Sequence, residues 1–275
     1  MSLAVDESGI PAADAYLIAL DVDGTLVGYD GALSEAVRDA VQGVAGAGHH
    51  VVISTGRSVA GTLPVLDSLS LTSGYAVCAN GSMILRLDPE YDSGWEAVQV
   101  TTFDPRAALL RLREIAPMSR FMIEDGDLHR WVTQAFPNNE LSGAIDTMPF
   151  EEMLDKRVTR IVMRDPTKTA AEFDDVVEAS GLHGVSYSVG WTAWLDIAPE
   201  GVSKASALET VRDWLQIDAG HTFAAGDGTN DLEMIRWAGR SVAMGQAPDV
   251  LKEAAAEITG TIDQDGLVDV LGPYL

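Results

Sequence analysis

Five short, nearly continuous apolar runs punctuate this chain: residues 15–20 (AYLIAL), 50–54 (HVVIS), 75–79 (YAVCA), 221–225 (HTFAA) and 241–244 (SVAM). A strand buried on both faces reads as an unbroken apolar run, whereas a half-exposed strand alternates. Segments of helical spacing separate the runs. After the first, Ser34 can cap a helix whose apolar positions Ala36, Val37, Ala40, Val41 and Val44 recur at helical intervals, and Gly46 and Gly48 close it. Strands alternating with helices in this way predict a parallel sheet covered on both faces. The pattern occupies 15–84 and returns at about 192–275.

The residues between read differently. From 85 to 191 the aromatics are loosely spaced, with strand-like pieces at 130–133 and 160–164 and helix-like pieces at 105–115 and 170–179. This segment also holds 11 of the chain's 18 basic residues. It reads as a second, α+β domain inserted into the first. The expected architecture is therefore α/β, with a discontinuous Rossmann-like core of 1–84 plus 192–275 and an insertion of 85–191.

In open parallel sheets, ligands bind beyond the carboxyl ends of the strands. The first run is followed there by Asp21-Val22-Asp23-Gly24-Thr25 and the second by Ser54-Thr55-Gly56-Arg57. Asn80-Gly81 follows the third, and the fourth ends in Gly226-Asp227-Gly228-Thr229-Asn230-Asp231. Three carboxylates, hydroxyls and an amide would converge on one edge, a donor set suited to a hard cation such as magnesium. Each piece has an ordinary alternative. Asp and Gly favour turns, Thr55-Gly56-Arg57 could simply start a helix, and the Asp21 loop lacks the downstream acid of a calcium loop. Turn chemistry does not explain all of them falling at successive strand ends.

Charge and composition narrow the partners. The 42 acids against 18 bases give a net charge of −24, which repels nucleic acid and anionic lipid. The single cysteine, Cys78, excludes an internal disulfide. No apolar run reaches membrane-spanning length, and Asp6, Glu7 and Asp14 stand where a signal peptide would carry basic residues. The expected setting is cytoplasmic, with residues 1–13 a loose lead-in.

With these motifs in view, the chain resembles the haloacid-dehalogenase superfamily of phosphatases, and within it the Cof-type branch with a large inserted cap. The motifs are DVDGT at 21–25, STGR at 54–57, GVSK at 201–204 and GDGTNDLEM at 226–234, in the family's order with the long insertion between the second and third. The resemblance covers about 15–275. It implies that 85–191 is a cap closing over the site, that Mg2+ is the cofactor, and that the substrate is a small phosphorylated metabolite, with sugar phosphates favoured over pyridoxal phosphate, flavin precursors or nucleotides.

The residues carry the same chemistry. An anionic nucleophile can attack a phosphate ester only if its charge is countered, and a divalent ion with a lysine supplies the countercharge. Asp21 would be the nucleophile, forming an aspartyl-phosphate. Asp23 would protonate the leaving alkoxide and then activate water, a task that a setting among like charges suits. The Thr25 hydroxyl would fix the turn.

By resemblance, Thr55, Gly56 and Asn230 bind phosphate. Lys204, following the N-cap Ser203 of a helix over 205–215, faces the phosphoryl group. Asp21, Asp227 and the backbone carbonyl of Asp23 hold the metal, and Asp231 orients its waters or Lys204. Arg57 has two readings, as a substrate contact or as a pin for the sheet edge. His49-His50 reads as a surface pair and Trp191 and Trp194 as packing at the domain junction. The basic residues Arg86, Arg106, Arg120 and Arg130 are candidates for meeting an anionic substrate. Two other readings share these residues: a phosphomutase or phosphotransferase that passes the phosphoryl group to a second sugar, and a non-catalytic protein that binds a phosphorylated metabolite.

Overall fold

In the computed structural model, residues 15–137, 141, 143–169, 185–189 and 194–275 are described. The lead-in 1–13, the helical expectation at 170–179 and Trp191 lie outside them. Two sheets organise the chain. The first has eight strands in the order β14-β13-β12-β1-β2-β3-β4-β5. Its centre is β1 (Leu17–Leu20), parallel to β2 (His50–Ser54) on one side and to β12 (Thr222–Gly226) on the other. Beyond these, β3 (Gly74–Cys78), β13 (Arg240–Ala243) and β14 (Glu257–Ile258) continue the parallel arrangement.

Both faces of this sheet are covered at its centre, which is why β1 is buried at every residue. Ile18 and Leu20 pack with Val37, Val41 and Val44 of the helix Glu35–Gly46 and with Leu267 and Leu271. Leu17 and Ala19 pack on the opposite face with Ala207, Leu208 and Val211 of the helix Lys204–Leu215. Ser34 accepts from the Val37 amide at 3.1 Å, capping the first of these helices. Ala36 is exposed, so its place in the apolar pattern is not used.

The second sheet has six strands in the order β10-β11-β9-β6-β7-β8. They are β6 (Arg120–Asp125), β7 (Arg130–Val132), β8 (Asp146–Thr147), β9 (Val158–Arg164), β10 (Val185–Val189) and β11 (Trp194–Pro199). All pair antiparallel except β7 with β8. The helix Arg106–Ile115 covers one face through Leu109 and Leu112 against Phe121, Ile123, Ile161, Met163, Leu195 and Ile197.

The places where the chain changes sheet differ from the boundaries expected at 84/85 and 191/192. The strands β4 (Met83–Leu87) and β5 (Trp95–Val100) extend the first sheet as an antiparallel edge ribbon. In β5 half-buried and exposed residues alternate, because an edge strand has an open face; that alternation hid its membership. Conversely, β11 is apolar along nearly its whole length and looked like a return to the core, yet it lies between β9 and β10 of the second sheet.

Other expectations also shift. His49 is half-buried and engaged: its ring accepts the Tyr16 amide at 3.1 Å and meets Tyr16 and Tyr274 edge-on. Trp194 packs against Phe136 in the second unit. Arg86 belongs to the first sheet, Arg106 pairs with Asp155, and Arg120 donates to the Ala135 carbonyl. Arg130 is buried.

Candidate active site

Register builds the site. Leu20 on β1 lies opposite Ala225 on β12 and Ile53 on β2. The residues that follow each strand therefore emerge side by side: Asp21, then Gly226-Asp227, then Ser54-Thr55. The Asp21 amide bonds the Ala225 carbonyl at 3.1 Å, and the Thr55 amide bonds Val77 at 2.9 Å.

Lys204 enters from the first position of its helix. Ser203 caps that helix in a reciprocal pair with Ser206, so the helix begins one residue before the expected 205. Gly81, with φ +102°, passes beneath, where a Cβ would lie 2.2 Å from the Ser203 carbonyl oxygen. The Lys204 side chain is fully buried, and its Nζ donates to Asp21 Oδ1 and Asp231 Oδ1, each at 2.5 Å.

Asp231 is completely engaged. Its other oxygen, Oδ2, accepts the Asp227 and Gly228 amides at 2.9 Å. It stands at the end of the short turn Thr229–Asp231, and the helix Leu232–Trp237 follows. Asp227 is buried, and Oδ2 accepts from the Tyr29 hydroxyl at 2.5 Å. Gly24, at φ +82°, permits this closeness, since a Cβ there would lie 2.0 Å from that oxygen.

Carboxylate oxygens of Asp21, Asp227 and Asp231 come within 4.8 Å of one another. Burial, then Asp231 and Asp227, push Asp21 well above the usual carboxylate range against the pull of Lys204. Burial pushes Asp227 up to about 6. Burial alone would lower Lys204, but Asp21 and Asp231 outweigh it and keep the ammonium charged. Three buried carboxylates thus share one ammonium. A divalent cation would balance the excess, and hard oxygen donors fit magnesium. With both oxygens of Asp231 already taken by donors, Asp21 and Asp227 are the side chains left to ligate it.

The other predicted residues fall around this cluster. Thr55 is buried, and its Oγ1 accepts the Arg57 amide at 3.1 Å. Gly56 lies against the Asn80 side chain. Asn230 donates to Asn80 Oδ1 at 3.2 Å, and Asn80 donates to Asp196 Oδ2 at 3.2 Å.

Asp23 departs from expectation. Its side chain is 52% exposed, and its charged neighbour is a cation: Arg57 grips it through Nε at 2.9 Å and Nη2 at 2.5 Å. Arg57 also reaches the Gly61 carbonyl at 3.3 Å, so in this conformation it holds Asp23 and the following helix. The Thr25 hydroxyl has no partner among the described residues and does not fix the turn. Backbone bonds from Thr25, Leu26 and Val27 to the Val22 carbonyl do so.

Sequence reasoning missed Tyr29, Gln246, whose amide bonds the Gly24 carbonyl at 2.5 Å, and Asp196. Asn80 was visible at the end of the third run, but nothing there assigned it a task. Tyr29 had no sequence signal. A second group joins Asp125, at the end of β6, to Asp127 and His129 in the exposed turn that follows, and Asp125 accepts the other two amides at 2.9 Å. Turn formation accounts for it.

Residues 18–271 match the family of haloacid dehalogenase-like hydrolases. The chain is similar to YkrA of Bacillus subtilis strain 168, 30% identical over 92% of this chain and 95% of that one. It is also similar to the 5-amino-6-(5-phospho-D-ribitylamino)uracil phosphatase YitU of the same organism, 28% identical over 94% of this chain and 97% of that protein. Its fold is similar to that of the HAD subclass IIB sugar phosphatase BT4131, with a TM-score of 0.80 at 22% identity, covering 94% of this chain and 99% of that one.

Proposed function

We propose that this chain, which belongs to the haloacid dehalogenase-like hydrolase family, is a magnesium-dependent phosphatase of small phosphate monoesters that works through an aspartyl-phosphate on Asp21. The observation that carries the reading is the single buried ammonium of Lys204 set against three carboxylates at the end of the central strand. A purely structural core would not gather this excess charge, because unpaired buried charge is strongly unfavourable. Asp21 and Asp227 would hold the ion, with the Asp23 carbonyl. The ion, when bound, supplies charge neutralisation for the incoming phosphate.

The protein's own groups then divide the work. Lys204, Thr55, Gly56 and Asn230 bind the phosphoryl oxygens. A carboxylate oxygen of Asp21 bonds to phosphorus while the ester P–O bond breaks, and Asp23 gives its proton to the departing alkoxide. Asp23 then takes a proton from water as that water attacks phosphorus, the bond to Asp21 breaks, and phosphate leaves. Arg57 must loosen its grip on Asp23 for the first of these transfers. Asp231 positions Lys204 and the Asp227 loop.

The second sheet, with the helix Arg106–Ile115, acts as a cap over the catalytic unit. We place the boundaries near 102/103 and 199/200, where the sheets change. YitU is a 5-amino-6-(5-phospho-D-ribitylamino)uracil phosphatase, and we place this chain's substrate among small phosphorylated metabolites, with sugar phosphates first and the cytoplasm as their setting. No helix among the described residues is long and apolar enough to cross a membrane. The test is phosphate release from a panel of esters with and without magnesium, in wild type and in Asp21→Asn. The reading expects magnesium-dependent release that Asp21→Asn abolishes. Near-normal release by Asp21→Asn would end the covalent mechanism.

A further inference from the structure

Four charged residues cross one face of the second sheet. Arg130 on β7 lies opposite Glu124 on β6, and Glu124 lies opposite Arg160 on β9. Asp196 on β11 closes the row through an ion pair with Arg160 at 2.5 Å. Strand alternation puts Phe121, Ile123, Ile161 and Leu195 on the other face, beneath the helix Arg106–Ile115.

The charged face is turned to the catalytic unit. Arg130 Nη1 donates to Ser58 Oγ at 3.4 Å, one residue past the STGR motif. At the other end, Asp196 takes a hydrogen bond from Asn80, which holds Asn230 of the fourth motif. All four charged side chains are buried.

A row with only a fastening task would close its own hydrogen bonds, since buried polar groups are nearly always paired. This one does not. Glu124 is 1% exposed and Arg160 is 5% exposed. Yet Glu124 Oε2 and Arg160 Nε have no partner among the described residues, although the two residues are cross-strand neighbours. One is an acceptor and the other a donor. An anionic group would satisfy Arg160 but be repelled by Glu124, a cationic group would do the reverse, and an apolar group would satisfy neither. A hydroxyl can donate to the first and accept from the second.

We propose that Glu124 and Arg160 form a subsite for a hydroxyl group on the alcohol portion of the ester, so that the substrate is the phosphate ester of a polyhydroxylated alcohol. This rests on the phosphatase reading above and adds the residues that read the leaving group. The phosphate-binding groups cannot do so, because every ester presents them with the same phosphate. The cap must supply the discrimination.

The experiment measures kcat/KM, with magnesium, for sorbitol 6-phosphate and for propyl phosphate. Both are esters of a primary alcohol, and only sorbitol 6-phosphate carries further hydroxyls. The full-length chain is compared with Glu124→Gln and Arg160→Lys, whose melting temperatures check the fold. Wild type is expected to favour sorbitol 6-phosphate, and either variant is expected to lower that ratio about 10–100-fold, the factor for one hydrogen bond to a charged group. A wild type without the preference overturns the proposal whatever the variants do. Equal losses on both esters, or an unchanged ratio, also overturn it and leave a fixed water or a fastening role between the two units. If wild type releases phosphate from neither ester nor from p-nitrophenyl phosphate, the phosphatase reading itself falls and takes the subsite with it.

Discussion

Replacing Lys204 by methionine separates the two tasks assigned to it, since methionine fills similar space without the charge. In the folded protein, Nζ contacts Asp21 and Asp231 at 2.5 Å and the side chain is fully buried. Removing one partner of a buried ion pair costs about 3–5 kcal/mol, because the other partner stays buried and unpaired. For a chain of this size that corresponds to about 6–20 °C in melting temperature.

The loss depends on pH, and its sign follows from proton counting. Burial and then Asp231 already hold Asp21 above the ordinary carboxylate range. Without the pull of the ammonium, Asp21 titrates higher still, so above about pH 4 the folded variant keeps a proton that the unfolded chain has released. Its stability therefore falls as pH rises. The deficit against wild type is widest at pH 8 and narrows towards pH 5. Lys204 itself is raised above its ordinary value, so its contribution is fully present throughout this window. Thermal melts of Lys204→Met and wild type at pH 5 and pH 8, with divalent ions chelated, give the comparison. Equal melting temperatures at pH 8 would refute the account, for the ammonium would then not be countering these acids.

Three further outcomes follow from the same geometry. Calcium should compete with magnesium and stop phosphate release, because it accepts both oxygens of a carboxylate and would leave Asp21 none for attack; equal turnover with calcium alone would contradict this. Tyr29→Phe removes the hydroxyl that holds Asp227 Oδ2, and it should weaken magnesium binding by about 3–10-fold, the scale of one net hydrogen bond, read from the shift in melting temperature on magnesium titration. Cys78 is buried and its thiol is pushed up to about 12 by burial; native protein should resist iodoacetamide and react only once unfolded.

What the sequence disclosed, and what it withheld, has a physical pattern. The parallel strands β1, β2, β3, β12 and β13 were legible because burial on both faces forces continuous apolar runs, as in β1, whereas the exposed two-residue β14 left no such run. Asp21, Asp227, Asp231 and Lys204 were legible because each follows a strand or starts a helix at the sheet's edge, and the fold brings these points together. The edge strand β5 was not, since its alternation matches any half-exposed strand. Nor was the Arg57–Asp23 contact: the two residues are far apart in sequence, and nothing in a local motif states that an arginine on one loop turns back to a carboxylate on another. Glu124 and Arg160 look like ordinary charged residues of half-exposed strands until the second sheet is placed against the first.

The two-residue spacing of Asp21 and Asp23 is the sharpest case. On a continuing strand, residues two apart share a face, so both carboxylates would point into the same cluster and add a fourth negative charge to it. The chain stops being a strand at Asp21. The Val22 carbonyl accepts the amides of Leu26 at 2.9 Å and Val27 at 2.8 Å, and the left-handed Gly24 reverses the path between them. That tight turn leaves Asp21 buried beside Lys204 and carries Asp23 outward to Arg57, where its side chain is half exposed. The separation suits the two tasks proposed for them. A nucleophile needs a countercharge and freedom from water, whereas a group that passes protons to an alcohol and from water needs access to both. Replacing Gly24 would strain the positive φ and drive a Cβ into Asp227 Oδ2, so the turn that separates the aspartates also sets the position of the third acid.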